Sequence, residues 1–128
     1  MADRRHKRTI LVTGCSSGIG AYCARALHAE GWLVIASART ENDLRKLRDD
    51  GLEAFHLDYS DGRSIQEFFD NAMAVTGGRC DALFNNGGYG QVGAVEDVPV
   101  EALRAQFETN VFGWHQLTRL ALPGMREA

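Results

Sequence analysis

Short apolar runs alternate with longer amphipathic stretches along this chain, and glycines stand at many of the joints. Residues 9–13 (TILVT) form a compact β-branched run, which predicts a buried strand. Residues 18–30 follow as a helix whose small face is Ala21, Ala24, Ala26 and Leu27, with Gly31 at the position of a helix-ending glycine. Residues 32–38 (WLVIASA) read as a second buried strand. Thr40 can cap a helix reaching Asp50, with Asp43 as its capping-box partner and a thin stripe of Leu44 and Leu47. Residues 52–57 (LEAFHL) alternate enough to be a third strand. An amphipathic helix over 63–75 uses Ile65, Phe68, Phe69 and Ala72 and stops at Gly77 and Gly78. Residues 82–85 (ALFN) are a short fourth strand. After the loop NNGGYGQVG, a helix from residue 99 or 100 to 122 repeats Val100, Leu103, Phe107, Val111, Trp114 and Ala121 every three or four positions or a multiple of them.

Four strand–helix repeats with connections of this length imply a parallel sheet covered by helices on both faces. Right-handed crossovers favour strand order 3-2-1-4, a Rossmann-type doubly wound α/β arrangement that this chain leaves before a fifth strand. In such sheets the ligand crevice opens beyond the strand carboxyl ends, where the order reverses. Both glycine-rich loops, 14–20 and 87–93, fall there.

The first loop reads TGCSSGIG, with glycines at 14, 18 and 20. A strand that turns sharply into a helix presents unpaired N–H groups and a positive dipole end, to which a pyrophosphate can bind if no side chain blocks the approach. The spacing is GxxxGxG rather than GxGxxG, so the context matches the dinucleotide fingerprint while the letters differ. A tight turn with glycines for packing alone is the competing reading. At the end of the second strand stand Ala36, Ser37, Ala38 and then Arg39, with no carboxylate before Glu41. An acid at that place would hold the ribose 2′-hydroxyl of NAD. An arginine without one favours a 2′-phosphate, and so NADP over NAD, against the alternative of a solvated surface arginine.

Composition narrows the field. With 128 residues, 45% hydrophobic and 24% charged, the chain fits one globular domain. A net charge of −3 provides no field for nucleic acid, and no apolar run reaches the ~20 residues of a membrane span. The basic run Arg4, Arg5, His6, Lys7, Arg8 predicts a solvated tail over residues 1–8, ahead of a nucleotide-binding domain over 9–128. Cys15, Cys23 and Cys80 have no CxxC spacing, which favours reduced thiols and a cytoplasmic setting. The four histidines are scattered, so no metal site is expected. GxxxxGK[ST] does not occur, which removes the P-loop.

TGCSSGIG, Arg39, LDYSD, NNGGYG and the Asn of ETNVFG together resemble the short-chain dehydrogenase/reductase family over residues 9–126. The resemblance implies an NADP-dependent oxidoreductase moving hydride between the nicotinamide and a small carbonyl or alcohol substrate. It places Gly14, Ser16, Ser17, Gly18, Ile19 and Gly20 along the pyrophosphate and Arg39 at the 2′-phosphate. Asp58 falls at the adenine amino group with Tyr59 beside it, and Asn85, Asn86, Gly87 and Gly88 support the sheet and pass the ribose. Asn110 takes the position of the family's catalytic asparagine, which holds a water in a proton relay; taken alone it is an ordinary polar residue of a helix. Tyr89, Gln91 and Val92 are candidates for one wall of a substrate pocket.

The sequence departs from the family pattern in two places. Gly87 replaces an alanine in the NNAG-like run. More consequentially, the family's Ser and Tyr-x-x-x-Lys are not found: Tyr22, Tyr59 and Tyr89 have no lysine four residues on, and the only lysines are Lys7 and Lys46. The resemblance therefore implies the cofactor-binding half of a dehydrogenase, inactive by itself, with a non-catalytic dinucleotide-binding module as the alternative. Fraying at Pro123 and Gly124 and self-association through an uncovered fourth strand and helix face, giving a homo-oligomer, are also expected.

Overall fold

The computed structural model describes residues 7–128. Four strands, β1 (Thr9–Val12), β2 (Leu33–Ala38), β3 (Glu53–His56) and β4 (Ala82–Phe84), pair in parallel in the order β3-β2-β1-β4. Helices α1 (Gly18–Ala29), α2 (Glu41–Asp49) and α3 (Gly62–Thr76) connect them. A 3₁₀ turn (Val95–Asp97), α4 (Val100–Phe107), a π turn (Glu108–Gly113) and α5 (Trp114–Glu127) come after β4. The expected order and alternation both hold.

Side chains of β1 alternate between two cores. Ile10 and Val12 join Ala24, Val34, Ala36, Leu44, Leu47 and Ala54 beneath α1 and α2. Leu11 points the other way and joins Ile35, Ile65, Phe68, Ala72, Leu117 and Ala121 beneath α3 and α5. The central strand is thus buried on both faces, which is why its sequence is a continuous apolar run rather than an alternating one.

Helix ends follow local chemistry. Thr40 Oγ1 accepts the Asp43 N–H at 3.2 Å, as expected of a cap. The Asp43 carboxylate receives the Thr40 hydroxyl proton at 2.8 Å, so the return arm of the box closes on the side chain. Asp61 caps α3, and Gly77 ends it in the left-handed conformation.

The basic tail lies mostly outside the described residues, since only Lys7 and Arg8 of that run fall within them. Arg8 is not a loose solvated residue: its carbonyl accepts the Leu33 N–H at 2.9 Å and its guanidinium lies 4.3 Å from the Trp32 ring centre.

Two expectations for the last helix are corrected. The apolar stripe from Val100 to Ala121 is not continuous, because the π turn adds a residue and rotates α5 relative to α4. Val100, Leu103, Phe107 and Val111 are about half exposed, while Leu117 and Ala121 are fully buried. The helix also does not fray at Pro123; it runs to Glu127, with Pro123 inside it. Gly124 allows this end to press on the α3–β4 turn, where a Cβ would stand 3.2 Å from the Gly78 carbonyl oxygen.

Candidate functional site

A cleft of about 550 Å³ opens across the carboxyl ends of the strands, over the point where the order passes from β1 to β4. Its lining includes Gly14, Ser16, Ser17, Ser37, Arg39, Asp58, Tyr59, Asn86, Gly87, Gly88 and Tyr89. The volume lies in the range of small-ligand sites.

The floor is where the two glycine-rich loops meet. Gly14 has φ +67°, and a Cβ there would stand 2.6 Å from the Gly87 Cα. Both the conformation and the contact therefore require glycine. Gly20, in the first turn of α1, presses on the Gly14 carbonyl, and a Cβ would also come within 2.6 Å of Asn86 Nδ2. That amide donates to the Thr13 and Gly14 carbonyls, both at 3.2 Å, and straps the loops together. Ser37, buried at the end of β2, holds the same loop from the other side. Its hydroxyl oxygen accepts the Gly14 N–H at 3.2 Å, and its carbonyl accepts the Cys15 N–H at 2.8 Å.

Ser17 is the N-cap of α1, yet its side chain makes no capping bond, whereas Thr40 and Asp61 cap α2 and α3. The N–H groups of the first turn of α1 are left without a side-chain cap beside the cleft, as a phosphate-binding helix end requires. Gly18 and Ile19 stand just outside the lining, and Ile19 is two-thirds exposed.

Arg39 is exposed at the end of β2, on the cleft wall. Asp58, after β3, lines the same cleft. Its carboxylate accepts the Ser60 hydroxyl at 2.6 Å and the Ser60 N–H at 2.9 Å. The Ser60 hydroxyl is the main reason its pKa lies below the usual carboxylate value; Arg39 contributes a smaller pull in the same direction.

Tyr59 also lines the cleft. Its hydroxyl is turned inward, 2.9 Å from Thr13 Oγ1 and 2.6 Å from Asn85 Oδ1. Asn110 is occupied by one partner: its side-chain oxygen accepts the Tyr89 N–H at 3.1 Å and its amide donates to the Tyr89 carbonyl. Of the proposed wall residues, Tyr89 lines the cleft and Gln91 and Val92 do not, Val92 being 90% exposed.

Sequence reasoning missed Thr13 and Ser37 as parts of the site. The signal was present, since both are polar residues at the ends of otherwise apolar strands. It also missed Ala105 and Thr109, which bring α4 and the π turn to the far wall. Nothing in local periodicity reports that approach. Among the described residues there is no cluster of metal-ligating side chains.

A family model for short chain dehydrogenases matches residues 8–128. The chain belongs to the short-chain dehydrogenase family. A short-chain dehydrogenase from Streptomyces avermitilis has the same fold, with a TM-score of 0.88 and 42% identity over 98% of this chain and 47% of that one. Actinorhodin polyketide ketoreductase, in a structure with NADPH, gives 0.83 and 33% over 93% and 48%. The Escherichia coli K12 oxidoreductase YbbO is 34% identical over 93% of this chain and 44% of its own length. The chain thus spans a little under half the length of these short-chain dehydrogenase relatives.

Proposed function

We propose that this chain is the NADP(H)-holding portion of a dehydrogenase or reductase that acts on a small carbonyl or alcohol compound. The observation that carries the reading is the mouth of the cleft: Arg39 lines it, and no carboxylate ends β2. A guanidinium at that place suits a 2′-phosphate, to which it can give two charge-assisted bonds, and offers nothing specific to a 2′-hydroxyl. NADPH-bound actinorhodin ketoreductase, among the solved relatives, supports the same choice.

When bound, the nicotinamide supplies the hydride chemistry. The chain's own residues hold and orient it. The uncapped start of α1, with Gly14, Ser16, Ser17, Gly18, Ile19 and Gly20, would take the pyrophosphate. Asp58 keeps an oxygen free of Ser60 and would accept from the adenine amino group. Asn86, Gly87 and Gly88 would pass the ribose. Asn110 would act through Tyr89, whose backbone N–H and C=O it holds. These 128 residues contain no Tyr-x-x-x-Lys pair, so the chain alone binds NADPH without turning over a carbonyl substrate. Three unpaired thiols suit a reducing cytoplasm. The half-exposed Val100, Leu103, Phe107 and Phe112 favour association between copies.

Titration of NADPH and NADH against the chain, followed by nicotinamide fluorescence, tests the reading. NADPH is expected to bind more tightly, and Arg39→Ala to weaken it by ~5- to 50-fold while leaving NADH unchanged, as the loss of an exposed charged hydrogen bond implies. Tighter NADH binding, or an unaltered NADPH affinity in the variant, refutes the 2′-phosphate assignment.

A further inference from the structure

We propose that Tyr59 is a positioning residue for the cleft: its hydroxyl is the middle link of a one-way hydrogen-bond circuit that fixes the Gly87 peptide against Gly14. The inference rests on the cleft being a dinucleotide site, and it assigns Tyr59 a role different from contact with adenine.

The direction of the circuit follows from donor and acceptor capacity alone. Thr118 donates its hydroxyl to the Trp114 carbonyl at 2.7 Å, so toward Asn85 it can only accept. Asn85 therefore turns its NH₂ to Thr118 at 3.0 Å and its oxygen to Tyr59. An amide oxygen cannot donate, so the Tyr59 O–H donates to it. Tyr59 must then accept from Thr13. Thr13 Oγ1 already accepts two N–H groups, those of Asn86 at 2.9 Å and Gly87 at 3.0 Å, and has one proton to give. Tyr59, at 2.9 Å, is a better recipient than the Phe84 carbonyl at 3.4 Å, which also holds the Thr13 N–H.

The circuit closes where it began. The Trp114 indole N–H donates to the Gly87 carbonyl at 2.6 Å. Gly87 thus enters the circuit by its N–H and leaves it by its C=O, so the peptide planes on both sides of Gly87 are held. The Tyr59 ring lies directly below, 3.2 Å from where a Gly87 Cβ would stand. Burial pushes the Tyr59 phenol well above its usual pKa, so the donor is retained at any ordinary pH. Gly113 permits the approach of the π turn from the other side, since a Cβ there would meet the Tyr59 carbonyl oxygen and ring.

Tyr59→Phe in the full chain keeps the ring and removes the hydroxyl alone. Amide exchange at Asn86 and Gly87 is expected to speed by ~10-fold more than at Leu11 and Ile35, which report global opening, and NADPH and NADH are expected to weaken by one common factor of ~10, as two lost buried hydrogen bonds imply. Thr118→Val breaks the circuit further along and is expected to give the same pattern at ~3-fold; it decides the matter if Tyr59→Phe does not fold. A lower melting temperature with Asn86 and Gly87 exchange sped no more than that of Leu11 and Ile35, and with unaltered affinities, overturns the proposal, as does a loss confined to NADPH. If the unmodified chain binds neither nucleotide, the dinucleotide reading fails separately. The exchange rates then still judge the circuit, and unchanged rates refute it.

Discussion

Asp81 joins the beginnings of β1 and β4, and its charge has a measurable consequence. Its carboxylate accepts the Thr9 N–H at 2.7 Å and the Thr9 hydroxyl at 3.1 Å, and it receives a two-pronged contact from Arg79 at 2.9 and 2.6 Å. These bonds, with the Arg79 contact foremost, lower its pKa from 3.8 to about 2. A group whose pKa is depressed by folding stabilises the fold above its unfolded pKa and loses that contribution as pH falls through the folded one. The window here runs from about pH 4 down to about pH 2. The full shift corresponds to ~2 kcal/mol, which solvent screening at this near-surface site reduces to ~1 kcal/mol. Asp81→Asn keeps the shape and removes the charge, so it should be ~1 kcal/mol less stable at pH 6, or ~3–5 °C lower in melting temperature. Urea melts of both proteins between pH 2 and 7, followed by circular dichroism, test this. Other carboxylates titrate in both proteins, so the difference isolates Asp81. It should shrink steadily below pH 4 and be largely gone at pH 2, where the native Asp81 is itself becoming protonated. A difference that is constant with pH, or absent at pH 6, refutes the reasoning.

Other outcomes can be checked directly. Leu117 is fully buried beneath the sheet, so Leu117→Ala should cost ~2–5 kcal/mol in denaturant melts. Gly14→Ala combines an unfavourable left-handed conformation with a clash against Gly87, and should lose ~2–4 kcal/mol together with nucleotide binding by calorimetry. Thr40→Ala removes the α2 cap and should cost ~1 kcal/mol. Burial pushes the Cys15 and Cys80 thiols up to about 11, so a thiol reagent at pH 8 should modify only Cys23 quickly in the folded chain.

The fold was legible because each strand is a short apolar run bounded by a cap or a glycine, and parallel pairing follows from the helices between them. The two cores were legible in outline from Leu44, Leu47, Ile65 and Phe68. The last helix was misread because a 3.6-residue period cannot report an inserted residue; within the π turn Asn110 holds the backbone N–H and C=O of Tyr89, a contact that spans 21 residues of sequence. Arg39 and the first glycine loop could be placed on the cleft because they adjoin strand ends. The inward turn of the Tyr59 hydroxyl could not, since its partners Thr13 and Asn85 are 46 and 26 residues away.

The π turn at Glu108–Gly113 makes residue count, rather than composition, the variable that sets the helix's two faces. One residue corresponds to ~100° of rotation. Deleting a single position within it would restore an ordinary α-helix and turn Val100 and Leu103 by that angle relative to Leu117 and Ala121. The chain here resembles a combination lock: a change with almost no chemical content would reassign which side chains face the cleft, the core and the solvent.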